Sequence, residues 1–155
     1  MERLPYDDDT AFLLADNAAT LARIVRTVPA DRLRATRFGD WTAVEVLGHL
    51  ADGAEIFADR VQRCIDEDHP AIASYDQDAL AAQRGNAQRD PMELSQRVMN
   101  AHRRIVQLLV NADNRRRHGI HAEWGEVDAG HFAAYQAGHA RDHVDELAKA
   151  FPPTA

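Results

Sequence analysis

The 155-residue chain carries a single cysteine, Cys64, and only 6% aromatic residues. One thiol excludes an internal disulfide framework and fits a reducing compartment. Long apolar runs are also missing: no stretch approaches the roughly 18 consecutive apolar residues of a membrane helix. The opening MERLPYDDDT has neither the basic nor the apolar region of a secretory signal, so a cytoplasmic location is expected. Basic charge is in deficit, with 18 Lys and Arg against 25 Asp and Glu and a net charge of −7. That balance removes the electrostatic footprint of a nucleic-acid binder, which works by neutralising phosphates. The one dense basic run, Arg115, Arg116 and Arg117, reads as a solvated helix end. Alternation of polar and apolar residues long enough to argue for a sheet is absent as well.

What the chain has is helical periodicity. A length of 155 residues with 45% apolar content predicts one domain over 1–155 with a buried core. Four stripes step by threes and fours. Leu14, Ala18, Leu21, Val25 and Val28 follow the capping cluster Asp7 to Thr10 and stop at Pro29. Ala43, Leu47, Leu50, Ala54, Phe57, Val61 and Cys64 follow Thr42 and Glu45, which have capping-box spacing. Cys64 is therefore expected in the core. Leu94, Val98, Ala101, Ile105 and Leu108 follow Asp90-Pro91, a cap with proline at the first helical position. Ala133, Ala137, Ala140, Val144 and Leu147 lie between Asp128 and Ala150, before Pro152-Pro153. The expected fold is all-α, a four-helix bundle. The connector between the second and third helices, with a short helix expected near Asp76 to Gln83, is long enough to cross the bundle. This crossover allows helices 2 and 3 to run parallel and helix 4 to run opposite to helix 2.

Beside the apolar stripe of helix 4 runs a second one, Phe132, Gln136, His139, His143 and Glu146; helix 2 repeats the pattern with Val46, His49, Gly53, Ile56 and Arg60. Flanks of the same rotational sense on antiparallel helices turn toward each other, so His49 can converge on His139 and His143. Three imidazoles with an open position suit zinc, nickel, copper or iron. Three bundle histidines hydrogen-bonded to carbonyls or to Asp52, Asp142 and Glu146 satisfy the same spacing. Of the other histidines, His121 in GIHAEWGE lines a pocket mouth or caps its loop, and His131 reads as a surface residue. His69, His102 and His118 show no partner pattern.

DWTAVEVLGHLADGAEIFADR and the downstream GIHAEWGEVDAGHFAAYQAGHARDHVDEL together resemble the DinB/YfiT-like superfamily of metal-binding four-helix bundles, and AIASYDQDALAAQRGNAQRDPMELSQRVMNAHRRI is similar to its middle region. The pattern comprises Trp41 before helix 2, His49 in an HLxD context with Asp52, and the HxxxH pair His139 and His143. The resemblance implies an up-down-down-up bundle and a divalent metal, zinc or nickel, on His49, His139 and His143. It also implies a small-molecule substrate and either a thiol S-transferase, joining a low-molecular-weight thiol to an electrophile, or a metal-dependent hydrolase. A non-catalytic metal-binding stress-response bundle is the third reading. A homodimer is expected from the family's habit of pairing through helix faces. By facing, Asp52, Glu45 and Glu146 are the candidate general bases, and each can instead orient an imidazole N–H. Arg60 can hold a carboxylate of a substrate or thiol cosubstrate, or remain an exposed ion-pairing arginine. Metal affinity is expected to fall as pH drops through the ordinary histidine range near ~6.5, because the ligands must be neutral.

Overall fold

A computed structural model describes residues 2–154. Asp7 caps α1 (Asp8–Thr27) by accepting from the Thr10 amide. Pro29 starts a short α2 (Ala30–Ala35), and a tight pairing of β1 (Arg37–Phe38) with β2 (Trp41–Thr42) leads into α3 (Ala43–Asp66). Thr42 and Glu45 close the full capping box at the head of α3, each side chain accepting from the other's backbone amide. After β3 (Ala71–Ile72), Asp76 caps α4 (Gln77–Arg84), which ends at Gly85 in the left-handed region at φ +64°. Asp90 caps α5 (Pro91–Leu108), with Pro91 in the first turn, where no backbone amide is needed. The hairpin β4 (His118–His121) and β5 (Gly125–Asp128) then delivers Asp128, whose carboxylate caps α6 (Ala129–Ala150) through the His131 amide.

The four long helices α1, α3, α5 and α6 make the bundle, with α1 and α3 each packed against both α5 and α6. Cross-helix pairs give their directions. Asp52 and Asp59 meet Arg97 and Arg104, so α3 and α5 advance together. His49 meets His139 while Phe57 meets Phe132, so α3 and α6 run in opposite directions. Asn17 donates to the Ala137 carbonyl and Arg23 to that of Phe151, which sets α1 parallel to α6. The segment from β3 through α4 makes the crossover from the end of α3 to the start of α5. Leu14, Leu21, Leu47, Leu94, Ile105, Phe132 and Leu147 fill the centre, all essentially without exposure. Cys64 sits among them, buried as expected, and burial pushes its thiol up to about 11.

Three sequence expectations change. The connectors carry short strands: β3 pairs parallel with β4, which pairs antiparallel with β5. Gly119 permits the packing of β4 on α3, because a Cβ there would stand 3.1 Å from the Cys64 sulfur. His131 is buried, not surface: its Nδ1 accepts from the Leu4 amide, and Arg3 reaches over to Asp128. Of the arginine run, Arg116 and Arg117 are exposed, but Arg115 donates to the Leu109 carbonyl with its guanidinium over the Tyr6 ring. No helix of the described residues is long and apolar enough to cross a membrane.

Candidate metal centre and adjoining cleft

The second flank of α3 turns inward toward that of α6. His49, one turn into the helix from its capping box, is buried, with the Trp41 ring packed 5.0 Å from its own. His139 and His143 rise one above the other on α6, half-buried. His49 Nε2 lies 3.1 Å from His139 Nε2, and one ring nitrogen from each of the three histidines falls within 4.8 Å of the others. Among the described residues this is the one group of three or more histidine, cysteine or carboxylate side chains so gathered.

Burial lowers the basicity of all three rings, and neighbouring histidines add to the effect on His49 and His139; His49 is pulled down to about 4. The donor set is thus three imidazoles that burial keeps neutral and gathers within reach of one another, which is what a divalent transition metal requires. The residues fit the ion. Their depressed basicity also moves the pH window expected from sequence: protonation competes with a metal below the ordinary histidine range, not through its middle.

The carboxylates are placed differently from one another. Asp52 is buried and held from two sides, by Asn86 at 3.0 Å and by Arg97 at 2.9 Å, and Arg97 also grips Glu55. Asp52 therefore anchors the crossover and α5 to α3, and its negative charge acts on His49 through space. Asn86 stacks against α3 at Gly48, where a Cβ would stand 2.3 Å from its Cγ. Glu45 is engaged in the capping box. Glu146 is exposed, one turn past His143, and supports that ring only by its charge. None of the three carboxylates joins the histidine cluster.

A cleft opens from His139, lined among others by Phe57, Arg60, Tyr75, His121, Trp124 and Tyr135. Aromatic rings build it outward: Tyr135 stacks on His139 and on Phe57, and Trp124 packs on Tyr135 and His121. His121 does both things its position allowed. Its Nδ1 accepts from the Glu123 and Trp124 amides, capping the hairpin loop, and its ring faces the cleft. Arg60 is not an exposed ion-pairing residue: it is 6% exposed, and its guanidinium donates to the Ala73 carbonyl between the rings of Phe57, Tyr75 and Phe132.

Some site residues escaped the sequence reading. Tyr75 and Trp124 lie in connectors without periodicity, and Arg97 meets Asp52 across a separation that leaves no local pattern. Gln136 does stand on the histidine flank, one turn before His139. Its amide donates to His102 Nε2 at 3.1 Å, and His102 in turn donates from Nδ1 to the Leu14 carbonyl at 2.8 Å.

A four-helix bundle with three histidines converging from two antiparallel helices, beside an aromatic cleft, defines a class of metal-site bundles. Residues 13–147 match the DinB superfamily, and the chain belongs to that family. Among solved structures it is similar to YfiT from Bacillus subtilis, described as a probable metal-dependent hydrolase with an unusual four-helix bundle topology. The TM-score is 0.76 at 22% identity, over 99% of this chain and 94% of that one. It is also similar to a mycothiol-dependent maleylpyruvate isomerase, with a TM-score of 0.70 at 14% identity, over 90% of this chain and 60% of that one. At these identities the likeness concerns the fold. No curated protein sequence matches the chain.

Proposed function

We propose that the protein is a metal-dependent enzyme that joins a low-molecular-weight thiol to an electrophilic small molecule in the cleft beside His139. His49, His139 and His143 would hold the ion, zinc or nickel by donor chemistry. Bound there, a divalent cation supplies Lewis acidity, which lowers the pKa of a thiol or of water.

One observation carries the preference for thiol over water: among the described residues no carboxylate joins the histidine cluster. Hydrolysis by water profits from a positioned base and acid. The candidates for that work are engaged with Arg97 and Asn86, closed in a cap, or exposed. A thiol ionises far more readily and reacts as thiolate without such a base. In the transfer, a bond forms from the thiol sulfur to the electrophilic carbon. The leaving group departs with its electron pair, and the thiol proton passes to solvent. Tyr135, Trp124 and Phe57 give the apolar wall that shields the electrophile from water, and Arg60 and His121 provide polar contacts at its far end. The description of YfiT as a probable metal-dependent hydrolase supports metal dependence, and that of the isomerase as mycothiol-dependent supports use of a small thiol. The free, buried Cys64 supports a reducing, cytoplasmic setting. The exposed side chains of Phe12 and Val110, 69% and 74% exposed, support pairing as a homodimer.

The test is turnover of chloro- or epoxide-bearing electrophiles by the metal-loaded protein with a small thiol and with water alone. Saturable, metal-dependent consumption of the thiol is the expected result. Release of product with water and none with thiol would replace this reading by the hydrolase one, and no turnover of either kind by a fully loaded site would leave a binding bundle.

A further inference from the structure

Arg60 poses an electrostatic problem. It is 6% exposed on the inner flank of α3, and no carboxylate among the described residues pairs with it: its one hydrogen bond goes to the Ala73 carbonyl. The rings of Phe57, Tyr75 and Phe132 lie 4.8, 5.7 and 5.7 Å from its guanidinium carbon and offset part of the charge. Burial lowers its pKa, but a guanidinium stays protonated, so the cation persists. Five donors arranged as a rigid fork leave most of their capacity unused, in a cleft that His139 also lines. The half-buried Arg97 is treated differently: it meets both Asp52 and Glu55.

Between the histidines and Arg60 the inner flank of α3 carries no side chain at the buried Gly53. Gly53 sits one turn after His49, and a Cβ there would meet Tyr75 Oη at 3.6 Å and Gln136 Oε1 at 3.8 Å. That Gln136 oxygen is buried and has no hydrogen-bond partner among the described residues. Its orientation is enforced: His102 gives its Nδ1 proton to Leu14 and takes one from the Gln136 amide at Nε2, leaving Oε1 toward Gly53. The cleft thus offers the Arg60 cation together with His139 of the triad, while Gln136 Oε1 lies buried behind Gly53.

We infer that the cleft recognises a small organic acid, whose carboxylate seats on the Arg60 guanidinium. This names the substrate class for the proposed transfer, and it rests on that reading for the reaction but not for the binding. The carboxylate belongs either to the electrophile or to the thiol, and the recognition chemistry is the same for both.

The experiment is equilibrium binding to the full chain, with metal loaded and after chelation, followed by the indole signal of Trp124 in the NMR spectrum. The probes are acetate, succinate and benzoate against acetamide, succinamide and benzamide. Acids should bind saturably to the chelated protein while their amides do not. Arg60→Gln should weaken the acids on the order of ten- to a hundredfold, as loss of charged hydrogen bonds does, with far-ultraviolet dichroism unchanged. The acid-to-amide comparison needs no variant and stands even if Arg60→Gln folds poorly. Equal binding of acids and amides, or no binding of any acid, overturns the inference, as does acid binding that survives intact in a folded Arg60→Gln. Where turnover is measured, a raised KM for the electrophile in Arg60→Gln assigns the acid to the electrophile, and a raised KM for the thiol assigns it to the thiol. Neither KM moving overturns the inference. Failure of turnover with acid binding intact removes the thiol-transfer reading alone.

Discussion

Replacing His49 and replacing its neighbour Leu50 should separate chemistry from fold. Leu50 is 2% exposed in the core of α3. Leu50→Ala removes buried methylenes and leaves a cavity, costing about 3 kcal/mol, which for a domain of this size lowers the melting temperature by roughly 6 to 12 °C. His49→Ala takes away the 3.1 Å contact with His139 and the packing on Trp41, together worth about 1 kcal/mol. It also relieves the desolvation that pulls this imidazole down to about 4. The net change should stay near 1 kcal/mol. The comparison is made by thermal melts with chelator present, because a metal stabilises only the folded state. Added zinc at a hundredfold excess over its dissociation constant should then raise the stability of wild type and Leu50→Ala alike by about 2.7 kcal/mol and leave His49→Ala almost unmoved. If chelated His49→Ala melts as early as Leu50→Ala, the histidine is a core residue and the metal argument loses its footing.

Removal of Arg97 by Arg97→Ala should cost about 3 kcal/mol in urea unfolding, since it strips the buried Asp52 carboxylate of its cation and leaves only Asn86; an unchanged midpoint would contradict the anchoring role of Asp52. His102 is buried and its basicity is lowered by that burial, with the Leu14 hydrogen bond opposing. Its folded pKa lies below its unfolded one, so the unfolded chain takes up the proton first as pH falls. The chelated protein should keep its stability above about pH 6.5 and lose it progressively below, and His102→Gln should lose less; parallel pH curves for the two proteins would refute this. The three cluster histidines are depressed in the same sense, so zinc should still be held at about pH 6, and release that begins above the ordinary histidine range near ~6.5 would contradict the neutral, buried triad.

The helices and the triad were legible because both are local patterns. Thr42 with Glu45, Asp90 with Pro91 and the stripe from Leu47 to Val61 act within a few residues, and so does the HxxxH pair. His49 could be matched to that pair because a crossover of known length restricts how two flanks meet. Residues whose role depends on a distant segment were not legible. Arg60 stands on the histidine flank in sequence, where a carboxylate-binding and an exposed ion-pairing role both fit, and the Tyr75 connector packed against it is what the sequence did not show. Asp52 faces the histidine flank in sequence, yet Arg97 and Asn86, brought by α5 and the crossover, claim both its oxygens. His131 seemed external until the N-terminal segment at Leu4 covered it. The strands β3 to β5 are too short to show alternation, and they exist because the connectors satisfy their backbone groups on one another.

The central claim is that His49, His139 and His143 hold one metal ion per chain. Elemental analysis by mass spectrometry, on wild type and His139→Ala saturated with zinc and then desalted, tests it most directly. The account predicts one ion per chain in wild type and close to none in His139→Ala, with both proteins equally helical. Equal metal content in the two would contradict it.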